Sequence, residues 1–560
     1  MNNFFPAALL LPQDTFDTNQ KQVMGRRVAG RGFAEAITSS LHSGEQLKVI
    51  GFNKSDLQSL SLLLQPRLAP NCKLLLQSGL APESLKEVGS LHVPDPGLAR
   101  WSLLRSQLPP HAFSLTGIIH TVCSDVVVNA LDQLYRAPLH PWDALVCTSR
   151  AGQQVVKEAI EGFRENLSRR LGIALPPATG PKLPIIPLAI DPAPFQKTES
   201  RENLCAAARQ SMGIDPNAFV VLFVGRLSFH SKAHPAVLYQ ALSRLAKTNR
   251  DVVLIECGHL FNEPIGKAFD QLASHFPELK IRRVGGLQAA SEFEKQQCLF
   301  AADVFCSPSD NLQETFGLSL LEAMAAELPI IASDWNGYRD IVEHDITGEL
   351  IETRGCFAPK DEIDSLELGY RLGNINYDTM IGMRSLSVEI DSEALFGSLR
   401  RLSNDKALRR SMGMAGKRRL IQLFTWQVVA KQYRELWLEL AECREQAKRQ
   451  NPNANPEAGV TSYGRLFGHY PTKTIHYGLQ KDLKLTNTAS SLPPRLLRES
   501  MNHDLFVRLL GEHLETIISH IETHGCIDHS ILASIGIPDS QKDFVLIALR
   551  KLGILTAIAS

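Results

Sequence analysis

The sequence predicts an α/β protein in which two Rossmann-like domains face a cleft and a small helical, winged-helix-like domain follows them. Two series of short apolar runs, separated by longer amphipathic stretches, lead to this prediction. The runs occupy residues 7–11, 47–51, 73–76, 117–120 and 144–147, and then 219–225, 252–255, 281–284, 304–306, 329–332 and 348–351. Alternating strands and helices are typical of parallel sheets, which bind ligands at the carboxyl ends of their strands. We therefore expect a ligand site in the cleft.

Changes in composition along the chain predict the domain boundaries. Residues 176–194 are rich in proline and carry the apolar run 185–190, which predicts a last strand followed by a hinge. Helical spacing of apolar residues over 425–447 predicts a closing helix, and the polar residues 448–495 predict a linker. The predicted parts are a first Rossmann-like domain at 1–190, a second at 191–424, the helix at 425–447, the linker at 448–495 and a helical module at 496–560.

Composition excludes several classes of protein. The 560 residues contain 59 Lys and Arg against 59 Asp and Glu, so no overall charge favours nucleic acid or an anionic membrane. The ten cysteines include no Cys-x-x-Cys pair, which is typical of reduced thiols in a cytosolic protein. The N-terminus is a poor signal peptide, and no apolar run approaches the length of a membrane span. We expect a cytoplasmic protein, either free or peripheral to the inner face of a membrane.

The most informative segment is residues 307–325, where a strand, a polar loop and an amphipathic helix follow one another. The helix is expected to begin near Gly317, and its unpaired N–H groups favour a phosphate there. Glu314 precedes the helix and Glu322 lies about one turn inside it. The two carboxylates are therefore placed to contact different parts of one extended ligand.

This segment resembles the signature of the large retaining GT-B glycosyltransferase family, group four. The resemblance rests on Glu314 and Glu322 within QETFGLSLLEAMA, and on Gly225, Arg226 and Lys232, which match a diphosphate-binding segment. Residues 186–195 resemble the family's interdomain hinge, and residues 424–433 resemble its final crossover helix. The resemblance is close over about residues 185–440, matches only by pattern before that, and does not extend past about residue 447.

The resemblance implies a nucleotide-diphosphate sugar donor of the UDP or GDP type. It makes residues 191–424 the donor domain and residues 1–190 the acceptor domain. Arg226 and Lys232 would neutralise its diphosphate, Glu314 would hold hydroxyls of the sugar, and Glu322 would hold the ribose. The remaining donor-binding candidates are Gly225 and the backbone N–H groups around Phe316, Gly317, Leu318 and Ser319. Fixed cations make a divalent metal unnecessary, so we expect no metal and no other cofactor.

The first domain supplies weaker candidates. Gly25, Arg26 and Gly30 fall in a segment expected to be a loop before a helix that begins near Phe33, at the position of the family's glycine-rich loop facing donor phosphates and acceptor. His120 is expected to end a strand, matching a cleft-facing histidine that orients the donor sugar.

Other interpretations of these residues remain open. Ser319 and Glu322 also fit a helix capping box, which needs no ligand. Arg226 fits a surface residue, Arg26 a solvated loop, and His120 a core histidine. A catalytically silent binding protein and another GT-B enzyme, such as a phosphorylase or an epimerase, are alternatives to a transferase. The acceptor (glycan, lipid-linked, small molecule or protein) is left open, and Glu327 stands where the family usually has glycine.

The C-terminal module has a helix-turn-helix-like pattern but the wrong charge for a DNA reader. From residue 496 onward it contains five Lys and Arg against eight Asp and Glu. A DNA-binding module needs several cations to neutralise phosphates. We therefore expect no nucleic-acid partner, and a role for this module in dimerisation or protein contact.

Overall fold

The chain divides into two units, Met1–Gly459 and Val460–Ser560. The first unit contains two six-stranded parallel sheets. The structure is a computed structural model, and it describes residues 3–17, 25–196, 199–248, 251–360, 362–472, 487–489, 513–524, 527–551 and 555–557. The prediction of two Rossmann-like domains and a small helical C-terminal part is confirmed.

The first sheet has the strand order β3-β2-β1-β4-β5-β6. Its strands are β1 Ala8–Leu10, β2 Gln46–Gly51, β3 Lys73–Ser78, β4 Ser90–His92, β5 Ser114–Ile118 and β6 Ala144–Val146. Its helices are α1 Gly25–Ser39, α2 Lys54–Leu64, α3 Pro82–Val88, α4 Leu98–Trp101, α5 Asp125–Asp132 and α6 Arg150–Leu171. The sequence did not reveal β4, which has one apolar residue between Ser90 and His92.

The second sheet has the order β12-β11-β10-β7-β8-β9, with β10 beside β7 at its centre. Its strands are β7 Phe219–Leu227, β8 Val252–Leu260, β9 Lys280–Gly286, β10 Val304–Ser307, β11 Ile330–Ser333 and β12 Gly348–Ile351. The accompanying helices are α7 Arg201–Met212, α8 Ala236–Ala246, α9 Glu263–Ala273, α10 Glu292–Ala301, α11 Leu318–Ala325 and α12 Tyr338–Ile341. The continuous apolar runs of its central strands are buried, as expected for a sheet covered on both faces.

A small excursion separates β12 from the last helices of this unit. It consists of β13 Thr353–Gly355, α13 Ser365–Arg371, α14 Tyr377–Ser385 and β14 Val388–Ile390. The two strands pair antiparallel and so bring the ends of the excursion together. The sequence analysis did not separate this excursion from the donor domain.

Three helices complete the first unit: α15 Ser392–Asn404, α16 Lys406–Leu423 and α17 Trp426–Gln450. The last of them, predicted over 425–447, packs Val429, Tyr433 and Trp437 into the core of the first domain. The chain therefore returns from the second domain to the first. This return makes α17 a structural tie between the two domains.

Residues 185–190, predicted to form the last strand before the hinge, do not form a regular strand. Only isolated bridges occur there, joining Ile185 to Cys147 and Ile190 to Thr425. Pro184 and Pro187 lack the N–H group that a regular ladder needs at each of these positions. The segment is therefore a bridged connection and not a regular strand.

The second unit contains short helices and one two-stranded antiparallel sheet. Its described elements are α18 Tyr463–Phe467, β15 Asn487–Ala489, α19 His513–His524, α20 His529–Ser534, α21 Asp539–Lys551 and β16 Leu555–Ala557. Ile517, Leu532 and Leu549 are among the side chains of its core. Residues 473–486 and 490–495 of the predicted linker, and residues 496–512 of the predicted helical module, lie outside the described residues.

The prediction that Gly25, Arg26 and Gly30 lie in a loop is wrong, because these residues lie in α1. Two of the glycines in this segment, Gly30 and Gly32, allow close packing of that helix. A Cβ on Gly30 would lie 2.2 Å from the carbonyl oxygen of Thr15, and one on Gly32 would lie 2.6 Å from the Trp426 ring. Three glycines within eight residues resemble a loop in sequence, whereas their spacing here lets a helix approach its neighbours.

Two glycine substitutions test this packing. Gly30→Ala is expected to lower the free energy of unfolding by about 1–3 kcal/mol, because the new methyl group overlaps a backbone oxygen. Gly162→Ala is the matched control, since Gly162 lies within α6 with no atom in the way; it should raise that free energy by up to about 1 kcal/mol. Urea unfolding measures both. Equal effects of the two substitutions would contradict the packing described for α1.

Candidate functional site

A buried ion pair lies where the carboxyl ends of β7 and β10 meet. Lys232 follows β7, Glu314 follows β10, and the Lys232 ammonium donates a hydrogen bond to the Glu314 carboxylate. The two side chains are only 14% and 15% exposed. The sequence analysis assigned both residues to the donor site, and the structure brings them into direct contact although 82 residues separate them.

Both members of this pair are charged at neutral pH. Burial by itself would raise the pKa of Glu314, but the Lys232 ammonium and the N–H of Phe316 outweigh burial and lower that pKa. Burial would likewise lower the pKa of Lys232, and the Glu314 carboxylate reverses this and raises it. The site therefore holds a fixed positive and a fixed negative charge side by side.

Tyr338, which the sequence analysis did not identify, joins the pair. Its hydroxyl lies 3.3 Å from Lys232 Nζ, 3.3 Å from Glu314 Oε2 and 2.9 Å from Ser307 Oγ. Burial, together with the Glu314 carboxylate, raises the pKa of Tyr338 to about 12. The phenol stays protonated and can donate to Glu314, so it fixes the carboxylate from a second side.

Arg226 supplies a second cation at the same edge of the sheet. Its guanidinium donates to Ser231 Oγ at 3.2 Å, and no carboxylate of the described residues lies within ion-pair distance of it. Burial lowers the pKa of Arg226, and Glu314 and Asp378 act in the opposite direction. Arg226 thus keeps most of its five N–H donors available for an anionic ligand.

Gly225 lies beneath this arrangement and allows the close approach of Lys232. A Cβ at position 225 would lie 3.0 Å from Lys232 Cε. Such a contact is tighter than ordinary van der Waals packing. The predicted role of Gly225 in the donor site therefore has a steric basis in its contact with Lys232.

The helix after Glu314 begins without a side-chain cap. α11 has Gly317 at its N-cap position, with φ of 116°, and no side chain accepts a hydrogen bond there. Ser319 lies inside the helix, so the capping-box interpretation of Ser319 and Glu322 is wrong. Phe316 is buried, and Leu318 and Ser319 form the first turn. The first-turn N–H groups of α11 therefore have no side-chain competitor for an anion.

Gly317 is required by this geometry. Its φ lies in the left-handed region that favours glycine, and a Cβ there would lie 2.5 Å from the Tyr338 ring. The same residue therefore sets the start of α11 and leaves room for the tyrosine that fixes Glu314.

Glu322 lies on α11 and pairs with Lys295, which the sequence analysis did not identify. Lys295 Nζ is 2.7 Å from Glu322 Oε1. Burial raises the pKa of Glu322, and Lys295 offsets part of that change. Glu322 lines a cleft of about 600 Å³ between the two domains, opposite Arg31 of α1 and near Trp426.

His120 lies in a different part of the interdomain region. The strand it was expected to end, β5, stops at Ile118, so His120 belongs to the following loop. With Arg26 and Gly30 it lines a cavity of about 30 Å³ whose other walls are mostly apolar. Burial, helped by the positive charge of Arg26, lowers the pKa of His120 to about 4. The imidazole is therefore neutral at physiological pH.

Arg26 and Gly25 have limited contact with this site. Arg26 pairs with Asp14 at 2.8 Å on the surface, and Gly25 has no atom within 4 Å of where a Cβ would lie. The structure therefore brings Arg26 and Gly30 together with His120 but does not bring Gly25 into the group.

Contacts from the first domain converge on the loop that carries Glu314. Ser149 at the start of α6 donates to the carbonyl of Thr315 at 3.0 Å. Tyr377 of α14 donates to Gln313 at 3.2 Å, and its hydroxyl lies 3.3 Å from Cys123 Sγ. The Glu314 loop is therefore held from both domains and from the excursion.

The described residues contain no group of three or more His, Cys, Asp or Glu side chains arranged to hold a metal ion. Among their helices, none combines the length and apolar character needed to cross a membrane.

Part of the second domain matches a known protein family. Residues 206–371 match the family model described as Glycosyl transferases group 1. Residues 206–371 of this chain are therefore similar to group 1 glycosyltransferases. The matched segment includes Arg226, Lys232, Glu314 and Glu322, four of the residues on which the sequence resemblance rested.

Relatives of known name match only part of the chain. A phosphatidyl-myo-inositol mannosyltransferase from Mycobacterium tuberculosis (strain CDC 1551 / Oshkosh) is 32% identical over 146 residues, 26% of this chain and 36% of the relative. A D-inositol 3-phosphate glycosyltransferase from Mycobacterium sp. (strain KMS) is 34% identical over 162 residues, 29% of this chain and 35% of the relative. The chain spans about a third of the length of these curated relatives.

A solved structure, that of Anabaena HepE in complex with UDP, covers 77% of this chain and 99% of its own. Its sequence identity is 16% and its TM-score is 0.49.

The protonation of His120 gives a direct test of the cavity. We expect the imidazole to titrate near pH 4, because burial disfavours its charged form. Histidine NMR signals followed from pH 7.5 to acid measure this pKa, and a His120→Gln variant assigns the resonance. As the pH falls below about 6.5, the unfolded chain takes up this proton first, so His120 should lower the free energy of unfolding. Titration near 6.5 would contradict the burial of His120.

Proposed function

We propose that this protein is a retaining GT-B glycosyltransferase that moves a sugar from a nucleotide-diphosphate sugar to an acceptor hydroxyl without a metal ion. The observation that carries the proposal is the arrangement of Arg226, Lys232 and the uncapped start of α11 around Glu314. It lies at the carboxyl edge of a parallel sheet, where such sheets bind nucleotides. The group 1 match over residues 206–371 supports the same class.

The positive groups suit a diphosphate leaving group. The Arg226 fork can hold two phosphate oxygens, and the Lys232 ammonium is a compact charge with three donors. Lys232 can contact Glu314, Tyr338 and a phosphate at once, so donor binding does not require the ion pair to break. Charge fixed in place before the reaction stabilises the negative charge that develops on the leaving diphosphate.

The two carboxylates suit the sugar and the nucleoside. Glu314 accepts hydrogen bonds from hydroxyls of the donor sugar, and Tyr338 and Lys232 hold its orientation. Glu322 accepts from the ribose, and Lys295 holds it in place on α11. The N–H groups at the start of the helix bind the phosphate between them.

Retention follows from attack and departure on the same face of the sugar. The bond between the anomeric carbon and the diphosphate oxygen breaks, and the acceptor oxygen bonds to that carbon. The acceptor proton passes to the leaving phosphate oxygen, so no protein nucleophile is assigned. His120, neutral in its cavity, orients the donor sugar and does not supply a proton.

The acceptor and the location are further parts of the proposal. The first domain lies across the cleft from Glu322 and supplies the acceptor side, while the acidic module at 496–560 acts in dimerisation or protein contact. We place the protein in the cytoplasm, free or peripheral to a membrane. Nucleic acid is not among its proposed partners.

The ion pair provides the first test of this function. Lys232→Met and Glu314→Gln should each lower turnover by about 10²–10³, as expected for loss of one fixed electrostatic contact in an active site. Each single change also leaves a buried charge alone and should destabilise the fold by about 3–5 kcal/mol. Donor hydrolysis over a panel of UDP-, GDP- and ADP-sugars measures turnover, and urea unfolding measures stability.

The double variant separates catalysis from folding. Lys232→Met combined with Glu314→Gln removes both charges, so stability should largely return while turnover stays low. Lys267 and Glu263 form an exposed ion pair in the same domain, and Lys267→Met with Glu263→Gln is the matched control. Recovery of turnover together with stability in the first double variant would contradict a role for the pair in the reaction.

Glu322 is expected to act on the nucleotide. Glu322→Gln should weaken binding of the nucleoside diphosphate by about tenfold or more, the cost of one hydrogen bond to a charged group. Calorimetric titration with UDP and GDP measures this effect. Unchanged affinity for both nucleotides would show that Glu322 does not contact the nucleoside.

Metal dependence provides a separate test. Because Arg226, Lys232 and the α11 N-terminus already supply positive charge, donor hydrolysis should continue in EDTA. Loss of activity in the chelator, restored by Mg²⁺ or Mn²⁺, would contradict a metal-independent reaction.

A further inference from the structure

A second large cavity lies at the edge of the second sheet opposite Glu314. It measures about 920 Å³ and lies between α7 and α16. Phe219 at the start of β7, Asp303 just before β10 and Pro329 just before β11 line it. It therefore opens at the amino ends of the strands, whereas the proposed donor site lies at their carboxyl ends. Phe219 in this cavity and Gly225 in the proposed donor site lie six residues apart on β7, which corresponds to about 20 Å.

The charge of this cavity is strongly positive. Seven Lys and Arg side chains line it against three carboxylates. Each carboxylate already has a cationic partner. The pairs are Arg209–Asp303 at 2.7 Å, Lys417–Glu327 at 2.8 Å and Arg410–Glu202 at 3.3 Å. The positive charge that remains therefore has to be balanced by solvent ions or by a ligand.

Three of the cations have no carboxylate within ion-pair distance among the described residues: Arg201, Lys406 and Arg418. Arg201 lies deep in the cavity, where its guanidinium donates to the carbonyls of Leu299 and Ala302. Lys406 is the first residue of α16, Arg418 lies twelve residues further along the same helix, and both are exposed. The cavity thus has one cation held by backbone carbonyl groups and two exposed cations.

The backbone at Glu327, in the wall of the cavity, has an unusual conformation. Glu327 has φ of 58°, although it is not glycine. Lys417 holds its carboxylate, and a Cβ on Gly413 would lie 2.0 Å from the Glu327 carbonyl oxygen. Glu327 stands where the resembled family usually has glycine. Through these contacts it anchors α16 against the wall of the cavity.

From the volume, the excess of cations and the concave shape, we propose that this cavity binds a soluble small molecule that bears two or more phosphate groups. Its size lies within the range of small-molecule sites. Guanidinium groups match phosphate in geometry, and ammonium groups add charge that adapts to the ligand. A concave site of this kind takes in a whole small molecule, in contrast to the flat contact that a membrane surface offers. The proposal is independent of the proposed transferase activity.

The test uses inorganic tripolyphosphate as the probe and the full chain. Calorimetric titration is carried out in an Arg226→Gln background, which weakens phosphate binding at the donor site. Lys406→Gln with Arg418→Gln should lower the affinity for tripolyphosphate by about tenfold or more, because two charge-assisted contacts are lost. Both side chains are exposed, so the fold is expected to survive these changes.

The matched control removes two exposed lysines elsewhere, Lys267→Gln with Lys431→Gln, and changes the net charge equally. Full affinity in the control and reduced affinity in the cavity variant supports the proposal. Equal affinity in both variants would overturn it.

A second arm distinguishes a lipid source of phosphate. Flotation with phosphatidylcholine vesicles, with and without phosphatidylglycerol, is compared for the same variants. Flotation that requires Lys406 and Arg418, without binding of tripolyphosphate, would overturn the assignment to a soluble ligand.

Discussion

The buried ion pair between Lys232 and Glu314 is the interaction on which the site depends. Two opposite charges in a water-poor position stabilise each other only if both are held in place, and a lone member of such a pair is strongly destabilising. The pair joins the loops that follow β7 and β10, so it fixes the carboxyl edge of the second sheet. Two further residues support the pair. Tyr338 donates a hydrogen bond to the Glu314 carboxylate, and Gly317 leaves room for the Tyr338 ring.

The first domain contributes to the same site through the contacts it makes with the Glu314 loop. Ser149 of the first domain holds that loop together with Tyr377 of the excursion, and α17 ties the domains together by packing into the first core. The position of the Glu314 loop therefore depends on contacts from outside the second sheet as well as on the strands that carry it.

The sequence predicted the elements that depend on local patterns. The central strands of the second sheet, β7 and β10, contain continuous apolar runs, and the segment around Glu314 carries a recognisable motif, so the strand, loop and helix there were located correctly. The errors have equally local causes. The glycines before Phe33 resemble a loop unless the neighbours that they approach are known, and β4 is too short and too polar to show. Tyr338 and Lys295 could not be predicted, because each acts through a partner at least 24 residues away in the chain.

The most direct test of the account is a crystal structure of the protein with a nucleoside diphosphate bound. The account predicts the terminal phosphate in contact with Arg226, Lys232 and the first N–H groups of α11, and the ribose hydroxyls on Glu322. The ion pair between Lys232 and Glu314 should remain intact beside the phosphate. A nucleotide bound elsewhere, with Arg226 and Lys232 free of phosphate, would contradict it.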